Sequence, residues 1–108
     1  IMNMISSEKG KYLILNIEGR VDTSNYEKFA QELQIHIDGG KKFLVLDLQK
    51  LDYISSSGLR VFLSILKTLR AIEGDVILCS LNDKIKSVFE VSGFLSLFRA
   101  IDNVEELV

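Results

Sequence analysis

Residues 44–66 read LVLDLQKLDYISSSGLRVFLSIL and hold the most informative pattern in the chain. The apolar run over Phe43–Leu48 predicts a buried central strand, and apolar residues recur at helical spacing after Gly58. Between the two, after a short connection, stand three consecutive serines, Ser55–Ser57. The stretch therefore predicts a strand, a connection, and an amphipathic helix that begins with a cluster of hydroxyl groups.

Hydroxyl groups at the start of a helix lie where unpaired backbone N–H groups and the positive end of the helix dipole converge. Such a place suits a helix cap, a bound anion, or a phosphoryl group attached to one of the serines. A cap uses one hydroxyl, so two of the three are expected to stay free. The loop that carries them follows the carboxyl end of a strand, where open α/β sheets commonly place function.

Working outward, the amino-terminal part of the chain predicts a hairpin and a helix. Residues 3–8 and Tyr12–Glu18 have the composition of two strands joined by a tight turn. The spacing of Ser24 and Glu27 predicts a capping box at the start of the first helix. Gly39-Gly40 is expected to end that helix, because glycine adopts the left-handed turn after a helix at low cost.

The carboxyl-terminal part continues the alternation. Val76–Cys79 predicts a buried strand, and Asn82 is expected to cap a third helix that ends at Gly93. A short edge strand over residues 97–100 and a final helical turn or two over residues 103–108 complete the order. This order predicts one α/β domain over residues 1–108, a mixed β-sheet with an initial hairpin, β-α repeats, a parallel centre, and helices mainly on one face.

Composition excludes several classes of function. Hydrophobic residues make up 47% of the chain and charged residues 26%, with a formal net charge of -2, as in an ordinary packed protein. The charge leaves no electrostatic footprint for nucleic acid, and no basic cluster marks an anionic membrane surface. No apolar run approaches the roughly eighteen residues of a membrane span, so we expect no membrane insertion and a cytoplasmic location.

Catalytic, metal and cofactor sites find no support in the sequence. A nucleophile elbow needs glycine two residues before its serine, and Tyr53 and Ile54 occupy the upstream positions here. His36 is the only histidine and Cys79 the only cysteine, so a catalytic triad and a thiolate metal cluster both lack partners. No glycine-rich phosphate loop occurs. We therefore expect no enzyme, no metal and no cofactor, and a protein or small-molecule partner.

Asp22 is the second candidate functional group. Residues 21–24 offer more capping groups than one helix requires, so either Asp22 or Ser24 is spare. Parallel connectivity favours both helix starts at the same end of the sheet, where Asp22 and the serine loop would share an exposed surface. The predicted members of this surface, called the serine-loop surface below, are Asp22, Ser55, Ser56, Ser57, Gly58, Leu59 and Arg60.

Together these residues resemble the STAS domain, and within it the small single-domain anti-sigma factor antagonists of bacteria. The resemblance covers essentially the whole chain. It rests on Gly19–Asp22, Leu46–Leu48, Leu51–Ile54 and above all Ser55–Leu59, with a weaker echo in Phe89–Phe94. In that family the loop typically reads Asp-Ser-Ser/Thr-Gly-Leu, and the serine after the aspartate is phosphorylated. The register puts that serine at Ser56, and Ser55 stands where the aspartate is usual.

The resemblance implies a partner switch that regulates transcription. The unmodified antagonist binds an anti-sigma factor that is also an ATP-dependent serine kinase, and so frees the sigma factor. Phosphorylation of Ser56 releases the antagonist, and a serine phosphatase resets the cycle. The replacement of the usual aspartate by Ser55 keeps an alternative open, in which an unphosphorylated STAS module is a regulatory or structural subunit of another signalling or membrane-associated assembly.

Overall fold

The computed structural model describes residues 1–108. It contains one mixed β-sheet of six strands and three α-helices. In chain order the elements are β1 (Met2–Lys9), β2 (Tyr12–Val21), α1 (Tyr26–Asp38), β3 (Phe43–Asp47), β4 (Leu51–Ile54), α2 (Ser56–Arg70), β5 (Asp75–Cys79), α3 (Asp83–Val91) and β6 (Arg99–Ile101). Short 3₁₀ turns lie before β6 at Leu95–Leu97 and after it at Val104–Glu106. None of the helices combines the length and the apolar character needed to cross a membrane.

The sheet has the predicted hairpin and parallel centre. Its order is β1-β2-β3-β5-β6, and β1 alone runs antiparallel to its neighbour. The long strand β2 pairs with β3 through its first half, from Tyr12 to Asn16, and with β4 through its last residues. The edge strand β6 is confirmed but starts two residues later than predicted. This layout places the carboxyl ends of β2 and β4 side by side, at the end of the sheet where α2 begins.

All three helices cover one face of the sheet, as predicted. Their buried residues join the helix-side residues of the strands in one core cluster of 23 buried residues. Phe62 of α2 is fully buried and links the helices, since its ring lies 5.4 Å from that of Phe29 and 5.5 Å from that of Phe89. The opposite face carries a smaller cluster of 7 buried residues, which includes Leu107. Packing against α1 and α3 therefore fixes α2.

The connection predicted between the central strand and α2 contains a strand, β4, that the sequence did not reveal. Leu51 and Ile54 are buried while the two residues between them are exposed, so the period-two alternation of a strand is absent. The cause is a register shift in the pairing with β2 between Gly19 and Arg20. Because this irregularity lies on a distant segment, the local pattern resembles a loop.

The capping box predicted for the first helix is wrong. The helix begins at Tyr26 with Asn25 at the cap position, and no side chain caps it. The hydroxyl of Ser24 instead donates to the Asp22 carboxylate over 2.6 Å. A short serine side chain bonds readily to a neighbouring group of its own loop, and here that local bond is the one that forms.

Candidate functional site

The serine loop lies at the carboxyl ends of β2 and β4. The backbone N–H of Ser55 donates to the carbonyl oxygen of Val21 over 2.9 Å. Val21 is the last residue of β2, and Asp22 follows it directly. The structure thus brings Asp22 and the start of α2 to the same end of the sheet. Parallel pairing between β2 and β4 produces this arrangement, because parallel strands place their carboxyl ends side by side.

The three serines occupy different environments. Ser55 is 8% exposed, and its Oγ accepts a hydrogen bond from the N–H of Gly58 over 3.1 Å. The Oγ of Ser57 lies 2.9 Å from that of Ser55 and is hydrogen-bonded to it. Ser56 is exposed, and its hydroxyl makes no hydrogen bond within the chain. One hydroxyl is therefore free, whereas the sequence predicted two. The difference arises because the capping residue, Ser55, also forms a hydrogen bond with the hydroxyl of Ser57.

The surroundings of Ser56 favour negative charge. The backbone N–H groups of Ser56 and Ser57 open α2 and have no acceptor within the chain. No acidic residue lies in the first turn of the helix. Unpaired N–H groups and the positive end of the helix dipole stabilise an anion within about one turn, typically by about 0.3–1 kcal/mol at an exposed site. A phosphate on Ser56 is compatible with the fold.

Gly58 has a packing role. A Cβ atom at this position would lie 2.8 Å from the Cγ1 of Val21 and 3.0 Å from the Cγ1 of Ile54. The missing side chain lets the first turn of α2 approach β2 and β4 closely. Gly58 and Leu59 are both buried, so these two members of the serine-loop surface support it from below. Its accessible members are Ser56 and Arg60, with Asp22 and Ser57 half-buried.

Asp22 is held in place by its own loop. Its carboxylate accepts hydrogen bonds from the hydroxyl and the backbone N–H of Ser24, and the Nε of Arg20 lies 3.5 Å away. The Ser24 hydroxyl, then the Ser24 backbone N–H and Arg20, lower the pKa of the Asp22 carboxyl below its ordinary value. The carboxylate is therefore ionised near neutral pH. These bonds weaken only as the pH falls through that lowered pKa.

Two neighbours of the loop, Arg20 and Tyr53, were not found by sequence reasoning. They stand opposite each other in the pairing of β2 with β4, and the guanidinium of Arg20 lies 4.4 Å from the centroid of the Tyr53 ring. Tyr53 stays 43% exposed. No local sequence signal could have paired them, because their contact depends on the long-range register of the two strands.

A groove between α1 and α2 opens beside the loop. It has a volume of about 480 Å³, and its lining includes Tyr26, Gln31 and Gln34 from α1 and Ser57 and Arg60 from α2. Hydroxyl, amide and guanidinium groups alternate there with apolar side chains. No group of three or more histidine, cysteine, aspartate or glutamate residues could hold a metal ion.

The capping role of Ser55 gives a stability prediction. Ser55→Ala removes the acceptor for the N–H of Gly58, and we expect a loss of about 1 kcal/mol in the free energy of unfolding, measured by urea denaturation. Ser57→Ala is the matched control, because it removes a hydroxyl that caps nothing. Equal losses in the two variants would contradict the assignment of the cap to Ser55.

Comparison with known proteins places the serine loop within a known domain family. A family model of the STAS domain matches residues 3–107. BtrV of Bordetella bronchiseptica, a protein assigned as an anti-sigma factor antagonist, is 45% identical over 93 residues, which cover 86% of this chain and 80% of BtrV. The residues that the family model matches include the serine loop, Ser55–Ser57.

Solved structures share the fold. A protein from Thermotoga maritima, also assigned as an anti-sigma factor antagonist, has a TM-score of 0.89 at 21% identity and covers 95% of this chain and 89% of its own. SpoIIAA of Bacillus has a TM-score of 0.74 in its unphosphorylated form, at 19% identity with 98% and 92% of the two chains covered. Its phosphorylated form has the same score at 20% identity, covering 96% and 95%. With the sequence match over residues 3–107, the chain belongs to the STAS domain family.

Proposed function

We propose that this protein is an anti-sigma factor antagonist that switches partners when Ser56 is phosphorylated. The observation that carries the proposal is the difference among the three serines. Ser56 alone is exposed and has a hydroxyl free of hydrogen bonds within the chain, at the start of a helix that tolerates an anion. Membership of the STAS family and the similarity to BtrV support the same function.

In the unmodified state the serine loop is uncharged and can be buried against a partner. The partner that we propose is an anti-sigma factor that is also an ATP-dependent serine kinase. The exposed hydroxyl of Ser56 enters its active site, with Asp22 at the same end of the sheet and Arg60 one turn further along α2. Occupation of the anti-sigma factor by this chain leaves the sigma factor free to direct transcription.

Phosphorylation reverses the binding. The Oγ of Ser56 attacks the γ-phosphorus of ATP, the hydroxyl proton passes to a base of the kinase, and ADP leaves. The product carries about 1.5 to 2 negative charges and three strongly hydrated oxygens. Free N–H groups stabilise that charge on the isolated chain, whereas an interface must desolvate it. The complex therefore weakens without a change of fold.

A serine phosphatase then restores the unmodified hydroxyl by hydrolysis of the phosphate ester. In this cycle the chain supplies the acceptor and the binding surface, and its partners supply the catalysis. The solved structures of SpoIIAA support a switch that keeps the fold, because its unphosphorylated and its phosphorylated form each share the fold of this chain, with a TM-score of 0.74.

The first test is to map phosphate on the purified chain after incubation with ATP and a lysate of its own organism. We expect mass spectrometry of the peptides to find phosphate on Ser56. Ser56→Ala should abolish the modification, while the control Ser57→Ala should keep it. Phosphate on Ser57 would move the acceptor by one residue. No phosphate, from a lysate active on another kinase substrate, would favour the unphosphorylated regulatory subunit instead.

A further inference from the structure

Arg60 is a free cation beside the proposed phosphorylation site. Its side chain is exposed and forms no ion pair or hydrogen bond within the chain. By contrast, Arg20 pairs with Asp22 and Arg70 with Asp75. The charge of Arg60 is therefore not used to stabilise the unmodified fold.

The helix places Arg60 next to Ser56. The two residues stand four positions apart on α2, where side chains are neighbours with Cβ atoms about 5–6 Å apart. An anion one turn before a cation is also the favourable order along a helix. No acidic residue in the first turn competes for Arg60, and the Asp22 carboxylate is already bound by Ser24 and Arg20.

We propose that Arg60 binds the phosphate on Ser56 within the same chain. This inference rests on the proposed phosphorylation of Ser56 and assigns Arg60 to its regulation. A guanidinium presents parallel N–H donors that match two oxygens of one phosphate, which a lysine cannot do. Ser56 and Arg60 are both exposed, so the pair requires no change in the packing of the core.

The ion pair makes the switch a reversal of charge. The unmodified surface presents the positive charge of Arg60, which suits a carboxylate on the partner. After phosphorylation Arg60 and the phosphate together have a net charge of about -0.5 to -1, since the phosphate brings about -1.5 to -2 against the single positive charge of Arg60. An acidic partner patch would then lose an attraction and meet a repulsion. The chemistry of Arg60 thus points to an acidic contact region on the kinase.

The experiment uses the full chain with phosphoserine incorporated at position 56 during translation, so that no kinase is needed. Phosphorus NMR during a pH titration reports the second pKa of the phosphate, ordinarily about 6. Arg60 favours the dianion and lowers that pKa. We expect Arg60→Gln to raise it by about 0.2–0.4 units, which is the size of a helical ion pair four residues apart when its free energy is converted to a pKa shift.

Two further variants make the result specific. Arg60→Lys should restore most of the lowering, because it keeps the charge. Arg99→Gln, a matched loss of an exposed arginine on β6, should leave the titration unchanged. Circular dichroism of each unmodified variant confirms folding. Identical phosphate titrations in the parent chain and in Arg60→Gln would overturn the ion pair.

The same samples separate this inference from the proposed function. Binding of the phosphorylated and unmodified chains to the kinase is measured by calorimetry beside the titrations. If Arg60 governs the titration but phosphate leaves binding unchanged, the ion pair stands and the partner switch fails. If phosphate weakens binding but the second pKa of the phosphate is the same in the parent chain and in Arg60→Gln, the switch stands and the role of Arg60 is rejected.

Discussion

Ser56→Asp is expected to weaken binding to the anti-sigma factor kinase by about 100-fold, which corresponds to about 2.8 kcal/mol. The reason is desolvation, because an interface that accepts an uncharged hydroxyl offers a carboxylate no compensating partner. An unpaired buried charge typically costs about 3–5 kcal/mol, and both the neighbouring Arg60 and partial exposure at the edge of the interface reduce that amount. Isothermal titration calorimetry with the kinase that modifies the chain measures the change directly.

The control for charge is Ser56→Asn, which has nearly the same size as the aspartate variant and no charge. We expect its affinity to stay within about 3-fold of the parent, a change below 1 kcal/mol. The fold must survive in both variants. An aspartate in the first turn of α2 benefits from the helix dipole by about 0.3–1 kcal/mol, so Ser56→Asp should resist urea as well as the parent. Equal affinities for the aspartate and asparagine variants would show that charge at Ser56 does not operate the switch.

The strands and helices that sequence analysis found are those with a strong local pattern. The apolar runs that became β3 and β5 and the helical spacing of α2 are visible within a few residues of sequence. β4 was missed because its pattern depends on a register shift opposite Gly19, far along the chain. Local sequence shows periodicity, but it does not show which distant strand supplies the partner.

The candidate site divides in the same way. The serine cluster and its position at the start of a helix follow from the sequence. The sequence also predicts that Asp22 lies at the same end of the sheet as this cluster. The free hydroxyl of Ser56 follows only from the hydrogen bond between Ser55 and Ser57, which depends on side-chain geometry. The contact of Arg20 with Tyr53 depends on the pairing of β2 with β4.

The side chain of Asn82 has one role that the sequence predicts and one that only the structure shows. Its predicted role as the cap of α3 is confirmed, since its Oδ1 accepts from the N–H of Ile85 over 2.9 Å. The two N–H groups of its Nδ2 are also shared among three carbonyl oxygens of the segment that leads to the serine loop. These are the carbonyls of Leu48 at 3.2 Å, Gln49 at 3.1 Å and Leu51 at 2.8 Å. One amide therefore ties the start of α3 to the connection before β4.

Asn82→Asp is expected to lower the free energy of unfolding by about 3–4 kcal/mol at pH 7. The variant keeps a capping oxygen but loses both N–H donors of the amide, at about 1–1.5 kcal/mol for each donor. Repulsion between the new carboxylate and the same carbonyl oxygens adds to that loss. Urea denaturation measures the change, and the weakened connection before the serine loop should reduce partner binding as well.

Asn82→Ser separates the two roles of the side chain. It keeps a cap and removes the amide without adding charge, so we expect a loss of about 2–3 kcal/mol. The pH dependence gives an independent check. The N–H of Ile85 favours the ionised form of the introduced carboxyl, but the three carbonyl oxygens oppose ionisation more strongly and raise its folded-state pKa, so we expect the protonated form to be the more stable one. The stability of Asn82→Asp relative to Asn82→Ser should therefore rise as the pH falls through that raised pKa. If both variants unfold at the same urea concentration as the parent chain, the amide does not hold this connection, and the cap alone explains the conformation of Asn82.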